Sequence, residues 1–570
     1  MGIGAAIFES AGKRSSHYVP GVYTRQKNIS NPSGISSGNL CIIGQSAGGE
    51  PFKLLTFASI DEAKETLISG DLLKAVAYAF RCSKEGLAPN VVYAMRTNPA
   101  TRATVELESI SGEKTFIVHS ADYGSQANQI KIYVDEGSEE GKSVTLTYKG
   151  EEYTGDNLIR KSFSIENVGD NNQVFEISKS KVTLKWTDDN DEQKVLDLDF
   201  ISFPTLNELA GAINDTEYFN VELIDVRAYA ASNELDVVSY SNLNERKIIY
   251  SNTIVQKEFI ESVPFIGEVE LKENKPLDNN SGVYFTGGST SPALREHLNK
   301  ALSVLETEDI QIIATPETSN EVGLAIQAHC ESMSNEDNRK ERTCILGGAI
   351  GLSDDDGIRN ARAFNSMYSS YVIDNCIANN PITGKNETIS GAMVGCMLAG
   401  IEAAIAVNIP LTKKKLNVLG CTKKRTITNM SNLIKNGIMV VNNDPENAAN
   451  FICIRGLTTF QDDDLISCER SMVRESMFMA RDLRQKTAGK VGDVGNGSSL
   501  PDIIQTLIDS SSEWESKGYI IPSDEGNVWD IRASINGDKV TLDYSVYLAA
   551  PINFIFITSN NHVYSASVTL

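Results

Sequence analysis

Between Thr101 and Lys275 the hydrophobic pattern of this chain changes period, and beyond Gly282 it changes back. Ahead of the change, "LCIIGQSA" reads as a strand, "SIDEAKETLISG" as a helix opened by Ser59 and Glu62 at capping-box spacing, and "NVVYAMRT" as another strand. That is half an α/β domain at most. Inside the change, short alternating segments such as "KSVTLTYKG", "KVTLKW", "KVLDLDFISF" and "ELDVVSYSN" are divided by Gly, Asn and Asp, and "TLNELAGAIN" is the one convincing helix. Such a stretch is β-rich and reads as an insertion. Past it, Ser291 and Pro292 predict a helix start, Leu294, Leu298, Leu302 and Leu305 follow at helical spacing, and "IQIIATP" is a strand. "NEVGLAIQAHC", "RTCILGGAIGL" and "DGIRNARAFNSMYSS" continue the strand and helix alternation.

At 570 residues the chain is too long for one core, so two to four domains are expected. The formal net charge is -23. Residues 101–275 hold 33 acidic and 17 basic side chains, so -16 of it falls in the insertion, which fits a solvated, outward-facing domain. Nucleic acid is excluded as a general partner, because a phosphate backbone needs a basic surface, and acidic membranes are disfavoured for the same reason. The start of the chain places Lys13 and Arg14 after its apolar run, the reverse of a signal peptide, and Ala6 stands where a myristoylation motif wants Ser or Thr. Nine cysteines without a C-x-x-C pair read as buried reduced thiols.

The longest apolar stretch, "ISGAMVGCMLAGIEAAIAVNIP", approaches membrane-span length, yet Glu402 and Asn408 interrupt it, and it reads as a buried helix with glycines for close packing. No membrane insertion is expected. The last section is β again. Trp529, Ile531, Ala533 and Ile535 alternate up to Asn536-Gly537, and Val540, Leu542, Tyr544, Val546 and Leu548 alternate away from it, a hairpin. The final "HVYSASVTL" alternates Tyr564, Ala566, Val568 and Leu570 with polar residues, a strand with no internal partner in view.

A search for chemistry finds no constellation. The five histidines show no metal-ligand spacing, and His297 and His329 read as helix-surface residues. "LGGAIG" and "FTGGST" lack the Gly-Lys-Ser/Thr ending of a phosphate loop. "SDDDG" has consecutive carboxylates where a calcium loop alternates them, so Asp356 reads as a helix N-cap, and "DDDL" at 462–465 likewise. No catalytic, cofactor or metal site is expected. The stretch from Asp463 to Arg484 reads as one helix, on which Arg470, Arg474, Arg481 and Arg484 share about 80° of arc, opposite a core stripe of Leu465, Met472, Met479 and Leu483. The arginines are either a solvated face, paired within the chain, or the counterpart of an acidic partner surface. A second basic set, Lys413–Lys415 and Lys423–Arg425, reads as solvated loops.

"VPGVYTRQ", "FTGGS", "IIATP", "GAMVGCMLAG", "IPLTKKKLNVLG", "KNGIMVV", "IRGLTT" and "APINFIFIT" occur in this order, and together they resemble the tail sheath proteins of contractile-tailed bacteriophages. Residues 18–98 and 283–560 carry the resemblance; the segment between does not. What it implies is a multidomain α/β and α+β protein: a mixed α/β core assembled from N-terminal, middle and C-terminal segments, with an inserted β-rich domain. The expected divisions are an N-terminal extended arm at 1–24, a first part of the core at 25–100, the insertion at 101–282, the main core at 283–510, and a C-terminal β segment with its arm at 511–570. It also implies a structural subunit, not an enzyme. That subunit would form a homo-oligomeric helical sheath in the virion, assembled in the bacterial host cytoplasm, and would meet tail tube, baseplate and tail terminator proteins. On this view Arg470, Arg474, Arg481 and Arg484 face the tube. Tyr18, Val19, Val22 and Tyr23 with Tyr564, Ala566, Val568 and Leu570 add strands to neighbouring subunits. A host-binding adhesin is the alternative, and an unrecognised hydrolase in the insertion comes third.

Overall fold

The computed structural model describes residues 6–10, 13–17, 37–168, 173–188, 190–227, 229–241, 243, 245–493 and 499–561. The chain forms two compact units, one drawn from Met1–Lys27, Ala47–Pro51 and Pro99–Pro292, the other from Asn28–Ser46, Phe52–Asn98 and Ala293–Leu570.

The second unit is built on a seven-stranded sheet. Its order is Ile438–Met439, Ser369–Val372, Thr343–Gly347, Ile312–Ala314, Leu40–Gly44, Val92–Arg96 and Leu54–Phe57. All neighbours run parallel except the last pair. The early strand Leu40–Gly44 therefore lies between Val92–Arg96 and the much later Ile312–Ala314, which is why the first flank cannot close a core alone. Its five residues are all buried, as expected for a parallel strand covered on both faces. On one face Leu72 and Val76 of the helix Asp71–Phe80 pack with Met397 and Leu398 of Gly391–Ala403. On the other lie Leu298, Leu302, Ile326, Phe364, Met430 and Leu433, from four further helices.

The apolar stretch supplies the helix Gly391–Ala403, its start capped by Ser390, whose Oγ accepts from the Met393 N–H at 3.2 Å. Its glycines permit close approach. A Cβ on Gly391 would stand 2.4 Å from the Val372 carbonyl oxygen, and one on Gly400 2.5 Å from that of Ala79. At 13 residues this helix is short for a bilayer, and among the described residues no helix is long and apolar enough to cross one.

Local signals went astray where a distant group took over the capping. The helix expected from Ser291 starts at Arg295. The Ala293 N–H donates to Gln45 Oε1 at 3.0 Å and holds the approach extended, so Leu294 takes the N-cap position and its N–H donates to His297 Nδ1 at 3.0 Å. Ser353, not Asp356, caps Asp354–Phe364; its hydroxyl accepts from the Asp356 N–H, and the three aspartates occupy the first turn, where the helix dipole favours them. His329 is buried rather than on a surface. Its Nε2 lies 3.0 Å from Arg342 Nη1, and burial together with that guanidinium pushes the imidazole down to about 4. The stretch 463–484 is broken at Glu469, whose extended backbone separates Leu465–Cys468 from Arg470–Thr487.

The hairpin pairs Trp529–Asn536 with Lys539–Ser545. Its two-residue loop is Gly537-Asp538, one residue beyond the expected turn, and Gly537 supplies the positive φ of 65°. Ile531, Leu542 and Tyr544 pack onto a small core around Trp514, Leu507 and Met479, whereas Ile535 and Val540 near the tip are exposed.

The first unit is antiparallel throughout and has two cores. One is lined by Phe116, Ile132, Leu146, Ile260 and Phe285, the other by Phe163, Phe175, Leu184, Leu209 and Phe219. It holds a second helix, Asn252–Ser262, which local reading missed: the buried Asp236 carboxylate, 16 residues upstream, accepts from the Asn252 and Thr253 N–H groups at its start. Within the stretch expected to be one extended arm, the described residues Ala6–Ser10 and Lys13–His17 pair with each other antiparallel.

Two glycines test the packing. Gly400→Ala should destabilise the second unit by about 1–3 kcal/mol, because backbone must move to admit the methyl. Gly211→Ala, in the helix Leu206–Asn214 with nothing within 4 Å of the new Cβ, should stabilise the first by about 0.5–1 kcal/mol. Thermal unfolding followed by calorimetry reads both.

Candidate functional site

The four arginines do not form one free face. Arg470 and Glu402 are each 1% exposed and make a buried bidentate pair, Nε to Oε1 at 2.7 Å and Nη2 to Oε2 at 2.8 Å. The other three N–H groups of Arg470 go to the Cys344 carbonyl at 3.0 Å, Ser370 Oγ at 2.9 Å and Thr343 Oγ1 at 2.8 Å. All five donors are used. Arg474 is buried beside them, with Nη2 on the Glu402 carbonyl at 3.2 Å and Nε 3.7 Å from the carboxylate. Burial by itself would push Glu402 up, but Arg470 and Arg474 outweigh it and hold the carboxyl below its usual range. Arg481 pairs with Asp309 at 2.5 Å and Arg484 with Glu341.

The expectation of a tube-facing arginine stripe is therefore corrected at Arg470 and Arg474, which the fold uses to dock the helix Arg470–Thr487 against the starting ends of Thr343–Gly347 and Ser369–Val372. Arg481 and Arg484, further along, already have carboxylates from their own chain. Of the expected core stripe, Met472 and Met479 are buried and Leu483 partly so, whereas Leu465 lies before the break and is exposed. One signal pointed to the ion pair: a lone carboxylate inside an apolar helix requires a buried cation.

Two residues of this helix are set by what lies around them. Asp482 Oδ2 accepts from Trp514 Nε1 at 2.7 Å and ties the helix to Ser499–Ser516. Glu475 is fully buried with no hydrogen-bond partner for either oxygen among the described residues, and burial pushes it up to about 8 against the pull of Arg474. The basic loops are likewise engaged: Arg425 is buried between Asp374 and Asp354, and Lys423 also meets Asp354.

Beyond the hairpin the chain runs from Ala549 to Asn561 without regular structure. Ile552, Phe554, Ile555, Phe556 and Ile557 are 83%, 69%, 78%, 93% and 87% exposed. Asn553 is its anchor, donating from Nδ2 to Glu469 Oε1 at 2.9 Å beside Arg455, whose guanidinium lies over the Phe554 ring. "APINFIFIT" appeared above only as a motif; its five large apolar side chains left in solvent are the strongest interaction feature of the second unit. Tyr18, Val19, Val22 and Tyr23, and likewise Tyr564, Ala566, Val568 and Leu570, lie outside the described residues. Among the described residues no cluster of three or more His, Cys, Asp or Glu side chains is arranged to hold a metal ion.

The crossed-over α/β core is a fold shared with solved sheath tail proteins. The sheath tail protein of Listeria innocua has the same fold, with a TM-score of 0.58 at 13% identity over 91% of this chain and 93% of its own. That of Desulfitobacterium hafniense gives 0.56 at 13% identity over 93% and 97%. No protein-family model matches the chain. The tail sheath protein of Bacillus phage SP01 is 22% identical over 542 residues, covering 91% of this chain and 90% of the relative. Over nine-tenths of its length the chain is thus similar to a phage tail sheath protein.

Two expectations follow. Glu402→Leu or Arg470→Met should each cost about 3–5 kcal/mol by leaving a charged partner buried alone, and the double variant Glu402→Leu/Arg470→Met should cost less than the sum of the two, the remainder reflecting Arg474, which still loses its carboxylate. Denaturant unfolding of the singles and the double measures the coupling. For Glu475, the folded pKa of about 8 lies above the ordinary 4.5, so its penalty is absent below about pH 4.5 and stability falls as pH rises from there through 8. Glu475→Gln should flatten that fall and gain about 1–3 kcal/mol above pH 8, read by unfolding at pH 5 and pH 9.

Proposed function

We propose that this chain is the subunit of a contractile phage tail sheath: it polymerises as a homo-oligomer around the tail tube, between baseplate and terminator, and contracts to drive the tube through the host envelope. The observation that carries the reading is the exposed run Ile552–Ile557. A soluble monomer has no use for five large apolar side chains within six residues in water, and a polymer covers them on the next copy. The whole-length similarity to tail sheath proteins supports the same reading. The segments 18–23 and 564–570 are proposed to reach neighbouring subunits as added strands, an arrangement that survives rotation of the cores because only the arms bend.

Contraction in this scheme is a passage between two lattices of the same rigid subunits, driven by the difference in contact free energy, with no nucleotide consumed. An adhesin would need no such uncovered segment beside its core.

Electron microscopy of the purified protein is the test. Tubes or rings are expected from the full chain, and discrete folded monomers, with unchanged circular dichroism, from a chain cut after Pro551. Discrete particles from the full chain, or tubes from the shortened one, would sink the reading.

A further inference from the structure

We infer that Cys376 and Cys421 are a built-in redox staple: a thiol pair that closes to an intramolecular disulfide when the protein meets a small-molecule disulfide. The two residues are directly opposite in an antiparallel pairing, Cys376–Asn379 against Gly420–Cys421, and their sulfurs are 3.6 Å apart. Directly opposite residues of an antiparallel pair have Cβ atoms about 4.5–5.5 Å apart, against roughly 3.5–4.5 Å in a disulfide, so side-chain torsion with a small approach of the strands closes the gap to the S–S distance of about 2 Å. The Thr422 N–H on the Asn375 carbonyl, at 2.9 Å, holds the register beside the pair.

A facing thiol together with partial access distinguishes this pair from the other seven cysteines. Cys376 is fully buried, whereas Cys421 is only partly buried, its sulfur also 3.5 Å from the Val441 carbonyl oxygen, so Cys421 is the better placed of the two to meet a reagent. Cys41, Cys82, Cys330, Cys344, Cys396 and Cys453 are buried, and Cys468, also partly exposed, is hydrogen-bonded through its sulfur to backbone carbonyls and not to a thiol.

The chemistry is two exchange steps with oxidised glutathione as oxidant. The Cys421 thiolate attacks one sulfur of the reagent, the reagent's S–S bond breaks, and one glutathione thiolate leaves and takes up a proton. Cys376 then gives up its proton to solvent or to the departing thiolate, its sulfur attacks Cys421 Sγ, and the second glutathione leaves. Two thiols and one glutathione disulfide become one protein disulfide and two glutathiones, with two electrons passing from protein to reagent. The hydrogen bond with Cys421 and burial push the Cys376 thiol well above its ordinary value, which makes the second step the slow one.

The staple sits where it matters for the core. The strand Cys376–Asn379 also pairs with Asn386–Ile389, which runs straight into Ser390 and the helix Gly391–Ala403, so the bond would pin the loop 421–426 to the lead-in of the central helix. On the sheath reading, the chain is made in a reducing cytosol and the pair closes only after release to an oxidising medium; the bond itself does not depend on that reading.

The test uses the full chain, purified reduced, treated with oxidised glutathione under native conditions, then unfolded in an alkylating agent and digested. The expected result is a Cys376–Cys421 linked peptide, a loss of two of nine alkylatable thiols, no intermolecular dimer on a non-reducing gel, and a midpoint of thermal unfolding raised by at least about 3 °C and reversed by dithiothreitol. Cys421→Ser should lose no thiol pair, and Cys376→Ser should stop at the glutathione adduct on Cys421. A wild-type chain that also stops at that adduct, pairs other cysteines, or keeps all nine thiols overturns the inference. Formation of tubes is scored separately, so failure of the staple and failure of the sheath reading remain distinguishable.

Discussion

The buried pair of Glu402 and Arg470 is the contact on which the second unit turns. Taking a carboxylate and a guanidinium out of water costs several kcal/mol each, and the fold recovers this only because the pairing is bidentate and every remaining guanidinium N–H has an acceptor. The acceptors come from three places far apart in sequence: the end of the central helix, the start of Thr343–Gly347, and Ser370 on the next strand. A single side chain thus fixes the helix Arg470–Thr487 in position and direction against the sheet. The helix Ser499–Ser516 is tied in turn to that helix through Asp482 and Trp514, and to the core through Asn408, whose Nδ2 donates to the Gly518 carbonyl at 3.0 Å.

The same rigidity explains what the helix tolerates and what it does not. Arg474 can stay buried because Glu402 lies beside it, and Glu475 can stay buried because it gives up its charge near neutral pH. Neither is arranged for a ligand; both are consequences of seating a polar helix tightly against the core. Where the helix emerges, Arg481 and Arg484 meet carboxylates of their own chain, so its outer half also locks inward.

How far the sequence was legible follows the range of the interactions. The hairpin, the capping of Ile60–Leu67 by Ser59 and the buried helix Gly391–Ala403 were readable, because period and caps act within a few residues. The start at Arg295 and the helix Asn252–Ser262 were not, since Gln45 and Asp236 act from far along the chain. For the arginines, angular spacing on the helix was read correctly, and the error lay in which way the shared face points. Nothing within that segment reveals Glu402, 68 residues upstream, although Glu402 itself stood out as a charge in an apolar run. The exposed segment failed in the opposite sense. "INFIFI" has the composition of a core strand, and only its position in the fold shows that its large apolar side chains stay mostly exposed.

In the proposed sheath these two features answer opposite demands. A subunit that changes lattice must keep its core contacts and its links to neighbours while giving up the contacts between core surfaces. The first demand is met by the kind of pair that Glu402 and Arg470 form, costly to open because one charge would be left in the interior. The second is met by apolar side chains on a segment without regular structure: covering five of the size of Ile and Phe is worth on the order of 10 kcal/mol before the cost of ordering the chain, and needs no fixed orientation of the cores. Surface ion pairs at about 0.2–1 kcal/mol each are the contacts that can be exchanged, and the acidic balance of the chain leaves many carboxylates for them. A link that is strong but tolerant of direction, joined to a core that is strong and intolerant of it, is the combination from which contraction can proceed as rigid-body rotation without dissociation.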